Sequence, residues 1–463
     1  VIAMSHVGIV AGDRAGRRNA IADPTDVVLY LALLLLPAGG TVFGFTMMYW
    51  SPISPILFAV YVLLNIRLIP RVFFRYAAIM VFPVALVAVS VFGWLSVGFH
   101  AHTAMQTIVA LVTGLSCLVA LDIAFRIKRL DWNFAVTAIV VAYGVSFGIG
   151  VLEFFAVHGH ASFVVTLAER TLERNYVHVP GRVQFLFAEP SYIGMHLFGV
   201  LMPLYWLTRR RDLPILILIY AFGSAAMGAG VRILIDTVIA LVLWLIVVVD
   251  FHKVRNMVIA AVGVVVVGIG GGIVMLSNDR VQSLIANGPV SGDFSATARI
   301  FRTLAPVEAW IADPVHMMFG FGIGNLKDAI ARGYDAAWRQ LVAMGGAPQD
   351  NGEIRLLGTP PGDHYIFTMN AYVDFITEFG LVMFIAALAL VFVHVTRNHA
   401  WNKMSVCWLL LLAYLYIQFE GYAFYAFWLF IWAVGASVLP KAAVRERKER
   451  EGCDRRHAEE ERG

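Results

Sequence analysis

Long apolar stretches separated by short polar turns run along almost the whole chain. A helix needs about 20 apolar residues to cross a bilayer, so each stretch predicts a membrane helix. The first runs from Val27 to about Met48, and a shorter second follows Trp50-Ser51-Pro52 and covers Pro52 to Ile66. A third is expected over Tyr76 to Leu95, a fourth ends at Arg126, Lys128 and Arg129, and a fifth covers Phe134 to Phe155. After a loop of about 30 residues, a sixth closes at Arg209-Arg210-Arg211. Leu213 to Val249 is too long for one span: about 37 helical residues would measure near 55 Å against a hydrocarbon core of about 30 Å. Gly228-Ala229-Gly230 predicts a break there into two short helices. Met257 to Leu276 is a ninth stretch, followed by a polar segment of about 90 residues, Ser277 to His364. So long a connection predicts helices of its own. Tyr365 to Val395 is a tenth, and two more meet at Glu420-Gly421-Tyr422.

The pattern therefore predicts an all-α polytopic membrane protein of about twelve transmembrane helices. Compact Lys/Arg clusters fall on alternate turns, which places both termini on the cytoplasmic side. Residues 1–26 form an N-terminal cytoplasmic segment, 27–440 the transmembrane domain with outer loops 157–187 and 277–364, and 441–463 a charged tail. Composition agrees: of 463 residues, 60% are hydrophobic and 14% charged, against about 25% charged in a typical soluble chain. A net charge of +4 spread over inter-span clusters is a topology signal and excludes a nucleic-acid footprint. Cys117, Cys407 and Cys453 lie far apart and make neither a metal spacing nor a disulfide framework. The N-terminal segment, with Arg14, Arg17 and Arg18, has no short apolar core with a cleavage site, so no removable signal peptide is expected.

Several groupings could carry chemistry. Phe187-Ala188-Glu189-Pro190-Ser191-Tyr192-Ile193-Gly194 puts a carboxylate where an apolar stretch begins, after a loop holding Arg170, Arg174 and Arg182. Proline and glutamate both suit a helix start, so a snorkelling acid is one reading and an anion- and hydroxyl-handling site is the other. Arg232 and Asp236 are four apart, the spacing of an intrahelical ion pair. Gly320-Phe321-Gly322-Ile323-Gly324-Asn325 reads equally as an anion-binding turn or as a tight reversal of the chain. Asn370, Asp374 and Glu378 share one face of the tenth span. His364, at its mouth, titrates in a range suited to proton transfer or is simply a solvated loop histidine.

Arg182 followed by Phe187-Ala188-Glu189-Pro190-Ser191 and Gly194 resembles the signature of bacterial O-antigen and exopolysaccharide polymerases. The stretch from Arg299 to Pro314, leading into the glycine run, resembles the large periplasmic loop of the O-antigen polymerase and ligase superfamily. Asn370-Ala371-Tyr372 with Glu378-Phe379-Gly380 resembles the motif opening that family's next span. The resemblance covers about Arg182 to Leu381.

It implies a GT-C-like fold with a large helical periplasmic loop between spans nine and ten, in the bacterial inner membrane. It also implies a metal-independent, inverting glycosyltransferase without cofactors, acting on oligosaccharides linked to undecaprenyl pyrophosphate in the lipid bilayer. A chain-length regulator is a further partner the family allows. By resemblance Arg232 and Arg299, with Arg182 as a third, would grip the pyrophosphate, and Tyr192, Asn370 and Glu378 would add substrate contacts. Glu189 and His364 are the candidates for the base that accepts the acceptor hydroxyl's proton. In the ligase branch a histidine immediately precedes the asparagine matching Asn370. Here Met369 stands there, with His364 five residues upstream, which favours the polymerase branch. The alternatives are an O-antigen ligase acting on lipid A-core and, in another class, a lipid-linked oligosaccharide flippase or permease. A transporter would carry its polar residues near mid-membrane. Glu189, Arg232, Glu420 and the large loop are instead expected at one face.

Overall fold

The computed structural model describes residues 20–38, 53–159, 163, 183–187, 190–228, 232–251, 254–277, 279–358, 368–419 and 421–438. Among the described residues the secondary structure is helical, with no strand. The first half contains α1 (Asp26–Leu34), α2 (Ile53–Leu64), α3 (Ile69–Ser96), α4 (Ala101–Leu121) and α5 (Trp132–His158). Then come α6 (Ile193–His196) and α7 (Met202–Thr208), joined by a π-helical turn Leu197–Leu201, followed by α8 (Asp212–Ala226) and α9 (Arg232–Val247). The polar segment is entered by α10 (Val254–Ser277) and holds α11 (Asp279–Ser291), α12 (Phe294–Ala312), α13 (Pro314–Phe319), α14 (Leu326–Ala343) and α15 (Gly352–Gly358). The chain ends with α16 (Ala371–Arg397), α17 (Lys403–Leu415) and α18 (Tyr425–Gly435).

Among the described residues, four helices are long and apolar enough to cross a membrane: Ile66–Ser96, Ala101–Ile127, Trp132–Ala156 and Ala371–Arg397. Other apolar stretches form shorter helices, including Ile53–Leu64, Asp212–Ala226, Lys403–Gln418 and Tyr425–Gly435. Full-length and shorter helices are thus mixed. The stretch after Pro190 continues through a π turn at Leu197–Leu201, and α17 tightens into a 3-10 turn at Tyr416–Gln418. The expected third span also starts early: α3 takes in Arg71 and Arg75 and bends at Tyr76, whose φ of −117° and ψ of 23° are not helical.

Of the apolar clusters that hold the described helices, the two largest lie in the bundle and in the polar segment. The larger runs through the bundle, with Tyr61, Leu118, Tyr220, Trp408 and Trp432 all essentially inaccessible. In α4, 72% of the apolar window is buried, against 17% in α3, so α4 is an interior helix and α3 a peripheral one. The second core belongs to the polar segment alone. Thr297, Ala298, Phe301, Ala305 and Ala309 of α12 recur every three or four residues and face Ile330, Ala337 and Leu341 of α14. Asp293 starts α12 by accepting the Ala296 amide at 2.8 Å.

The helical segment is fastened to the bundle through the glycine run. Phe321 and Gly322 donate their amides to the Thr377 and Glu378 carbonyls at 2.8 and 3.0 Å, and Gly324 donates to Glu378 Oε1 at 2.9 Å. The run fits because α16 is broken there, at Gly380 with φ 81° and ψ 165°. Gly320, Gly322 and Gly324 all have φ between 83° and 89°, a region side chains avoid. From the other side Trp94 Nε1 donates to the Ile323 carbonyl at 2.9 Å, and Thr103 Oγ1 to the Gly324 carbonyl at 2.8 Å. Of the two readings of this run, the structure selects the chain reversal, and its amides are spent on α16. At the opposite end of the bundle, Lys128 Nζ ties Asp26 at 2.8 Å and Asp23 at 2.7 Å. Tyr61 OH adds a hydrogen bond to Asp26.

Candidate functional site

Arg232 is the first residue of α9, and its side chain is 11% exposed. One turn on, Asp236 is fully buried, with Oδ2 3.7 Å from Arg232 Nε. The ion pair read from the spacing is therefore present, but it is long for a charge-assisted hydrogen bond of about 2.8 Å. Tyr414 of α17 donates its hydroxyl to Asp236 Oδ1 at 2.6 Å. Arg299, from α12 in the helical segment, lies close enough for its charge to act on the same carboxylate. Arg232 thus faces Asp236 directly, and Arg299, 67 positions on, acts on it through its charge. The other side of that carboxylate rests on Gly194, where any β-carbon would collide with it. The last glycine of the Glu-Pro-Ser stretch is thereby brought against the arginine cluster.

This arrangement can hold an anion. Guanidinium groups present planar forks of donors that match phosphate oxygens, and two of them from separate elements can grip one group from two directions. On α12 a further arginine, Arg302, follows Arg299 by three residues. It sits 3.6 Å from Glu353 and acts electrostatically on Asp374.

The other expected residues fare differently. Tyr192 lies in the bundle core, its ring edge-on to Phe419 with centroids 4.7 Å apart. Asn370 caps α16, Oδ1 accepting the Tyr372 and Val373 amides at 3.1 and 3.4 Å. Glu378 is buried and accepts from Gly324 N, from Thr107 Oγ1 at 3.1 Å and from Tyr422 OH at 3.4 Å. Each is engaged inside the protein, because a helix start, a helix break and a core each need what these side chains supply. Asp374, on the same face, is likewise internal and accepts from Thr368 Oγ1 at 2.7 Å. Glu189, Arg182 and His364 lie outside the described residues.

The strand of chain leading to the motif is nevertheless fixed. Glu153 Oε2 on α5 accepts the Gln184 and Phe185 amides at 3.1 and 3.2 Å, and Ser146 Oγ accepts the Leu186 amide at 3.3 Å. Sequence reasoning missed Glu153, Tyr414 and Arg302. Arg302 carried a signal, its helical phase with Arg299; Tyr414 carried none, being one aromatic among many in an apolar helix. No known protein family, curated protein or solved structure matches this chain.

Proposed function

We propose that this chain is a polysaccharide polymerase of the bacterial inner membrane. In this reading it joins O-antigen or exopolysaccharide repeat units carried on undecaprenyl pyrophosphate, at the periplasmic face, on a GT-C-like scaffold of about twelve spans with both termini in the cytoplasm. The acceptor hydroxyl attacks the anomeric carbon of the growing chain with inversion. A carboxylate or imidazole, Glu189 or His364, takes its proton, and the bond to the pyrophosphate breaks. Arg232 and Arg299, with Arg182 as a third, hold the departing pyrophosphate, whose charge grows as that bond lengthens.

The observation that carries the reading is the convergence of Arg232 and Arg299 on Asp236, against Gly194 of the Glu-Pro-Ser stretch. It assembles a two-armed anion grip from parts that resemble separate motifs of one family. The test is incubation of the purified chain in detergent with a lipid-linked repeat unit and no nucleotide sugar, with products resolved by size. A ladder of lengthening glycans is expected. Transfer only when lipid A-core is added would make the protein a ligase. No product with intact substrates would overturn the enzyme reading in favour of a flippase or permease.

A further inference from the structure

At the end of α3, away from the arginine cluster, three side chains form a relay. Asp313 Oδ2 is 2.6 Å from His316 Nδ1, and His316 Nε2 is 2.8 Å from Ser96 Oγ. Asp313 does two things at once. Its Oδ1 caps α13 by accepting the His316 amide at 3.2 Å, and its Oδ2 orients the imidazole. Burial opposes the charge on Asp313, yet the hydrogen bonds from His316 and the nearby Arg332, 3.4 Å away, outweigh it and hold the carboxyl below its ordinary range. An ionised Asp313 keeps the ring proton on Nδ1, which leaves Nε2 as an acceptor for the serine hydroxyl. The ring itself is locked, stacked on Phe321 at 4.7 Å and tilted against Phe92 at 5.5 Å. His316 is 7% exposed, whereas Ser96 is exposed. An oriented base beside an accessible hydroxyl is the arrangement of an activated nucleophile.

We infer that Ser96, His316 and Asp313 form a second site, a serine nucleophile that accepts an acyl group from a carboxylic ester. The surroundings favour an ester with an apolar tail: Leu95 is 85% exposed and Phe99 58%, and Phe92 and Phe319 pack edge to face beside them. In the reaction Ser96 Oγ bonds the acyl carbon while His316 Nε2 takes the hydroxyl proton. The ester's C–O bond then breaks, and that proton passes to the departing alcohol. Water or another hydroxyl, deprotonated by the same nitrogen, releases the acyl group and restores Ser96. At rest the hydroxyl also has the Phe92 and Gly93 carbonyls at 3.0 and 3.2 Å, so its proton has three acceptors until the ester displaces it from the helix. The side chains of His100 and Asp328, paired at 3.1 Å, stand nearby at the start of α4 and α14, and His100 leaves the amino end of α4 without a side-chain cap. This inference goes beyond the polymerase reading and does not depend on it.

The test is covalent labelling of the full chain in detergent by an alkyl fluorophosphonate, read by peptide mass. Attack by Ser96 would form an Oγ–P bond and release fluoride. Expected is a single label on Ser96, absent in Ser96→Ala. His316→Gln should slow it by about 10²- to 10⁴-fold, the usual contribution of a general base. Asp313→Asn keeps an efficient helix cap but removes the charge, so slowed labelling at an unchanged melting temperature, restored in Asp313→Glu, isolates the orienting role from the structural one. No label on the folded wild type, a label on another residue, or wild-type rates in His316→Gln would each overturn the inference.

Discussion

Glu378 and Asp236 are both buried acids near the ends of apolar helices, at the same end of the bundle, yet their partners differ in kind. Glu378 draws on neutral donors from three separate elements, the amide of Gly324 and the hydroxyls of Thr107 and Tyr422. Asp236 has one phenol at 2.6 Å and two arginines, the nearer at 3.7 Å. The first is a joint: short neutral bonds pin a loop into a helix break, and nothing about them invites a ligand. The second sets charge from two parts of the chain against a carboxylate. Bond length and partner charge, more than burial, separate an acid that fastens from an acid that keeps cations poised.

Four substitutions would break or sharpen that contrast. Glu378→Ala should have the largest effect on stability, about 2–5 kcal/mol, because it strands the buried Gly324 amide and Thr107 hydroxyl together. Thermal unfolding in detergent reads this, and an unchanged transition would remove the distinction between the two acids. Arg299→Ala should reduce polymer formation by about 10²- to 10³-fold, the cost of losing one donor to a developing anion, while melting shifts by only about 2 °C. A stability loss as large as that of Glu378→Ala would make the arginine a fastener too. Gly194→Ala forces a methyl group into the Asp236 carboxylate and should cost about 1–3 kcal/mol, as overpacking does, with activity falling alongside. Normal yield and normal chain length from this variant would separate Gly194 from the cluster. Tyr414→Phe is the smallest, about 0.5–1.5 kcal/mol for one hydrogen bond. Its readout is a modest change in the concentration of lipid-linked substrate giving half-maximal rate.

The helices themselves were largely legible. Apolar runs marked them, α8 ends at Ala226 and α9 starts at Arg232 where span length demanded a break, and the long polar segment holds helices as its size required. Local irregularities were not legible, because hydropathy does not register a π turn or a 3-10 ending inside an apolar run. In the site, only same-helix relations were readable, such as Arg232 with Asp236. Thr107 with Glu378, Tyr414 with Asp236 and Ser96 with His316 join residues 271, 178 and 220 positions apart. Helices that are apolar all round carry no mark of which face meets which neighbour, so such pairs emerge only from packing. The glycine run shows the opposite failure. Its composition fitted an anion-binding turn and a chain reversal equally, and the structure spends its amides on the Thr377 and Glu378 carbonyls and on one carboxyl oxygen of Glu378.

The π-helical turn at Leu197–Leu201 has a consequence for how this chain tolerates change in length. Such a turn carries one residue more than the α-helix around it, so it works as slack in the thread between α6 and α7. Removing a residue there would let the helix close into regular α geometry while His196 keeps its seat against Tyr143 and α7 keeps its own facing. The same deletion a turn to either side would rotate one flank by about 100° relative to the other. Insertions and deletions in this span should therefore survive selection at one place and almost nowhere else.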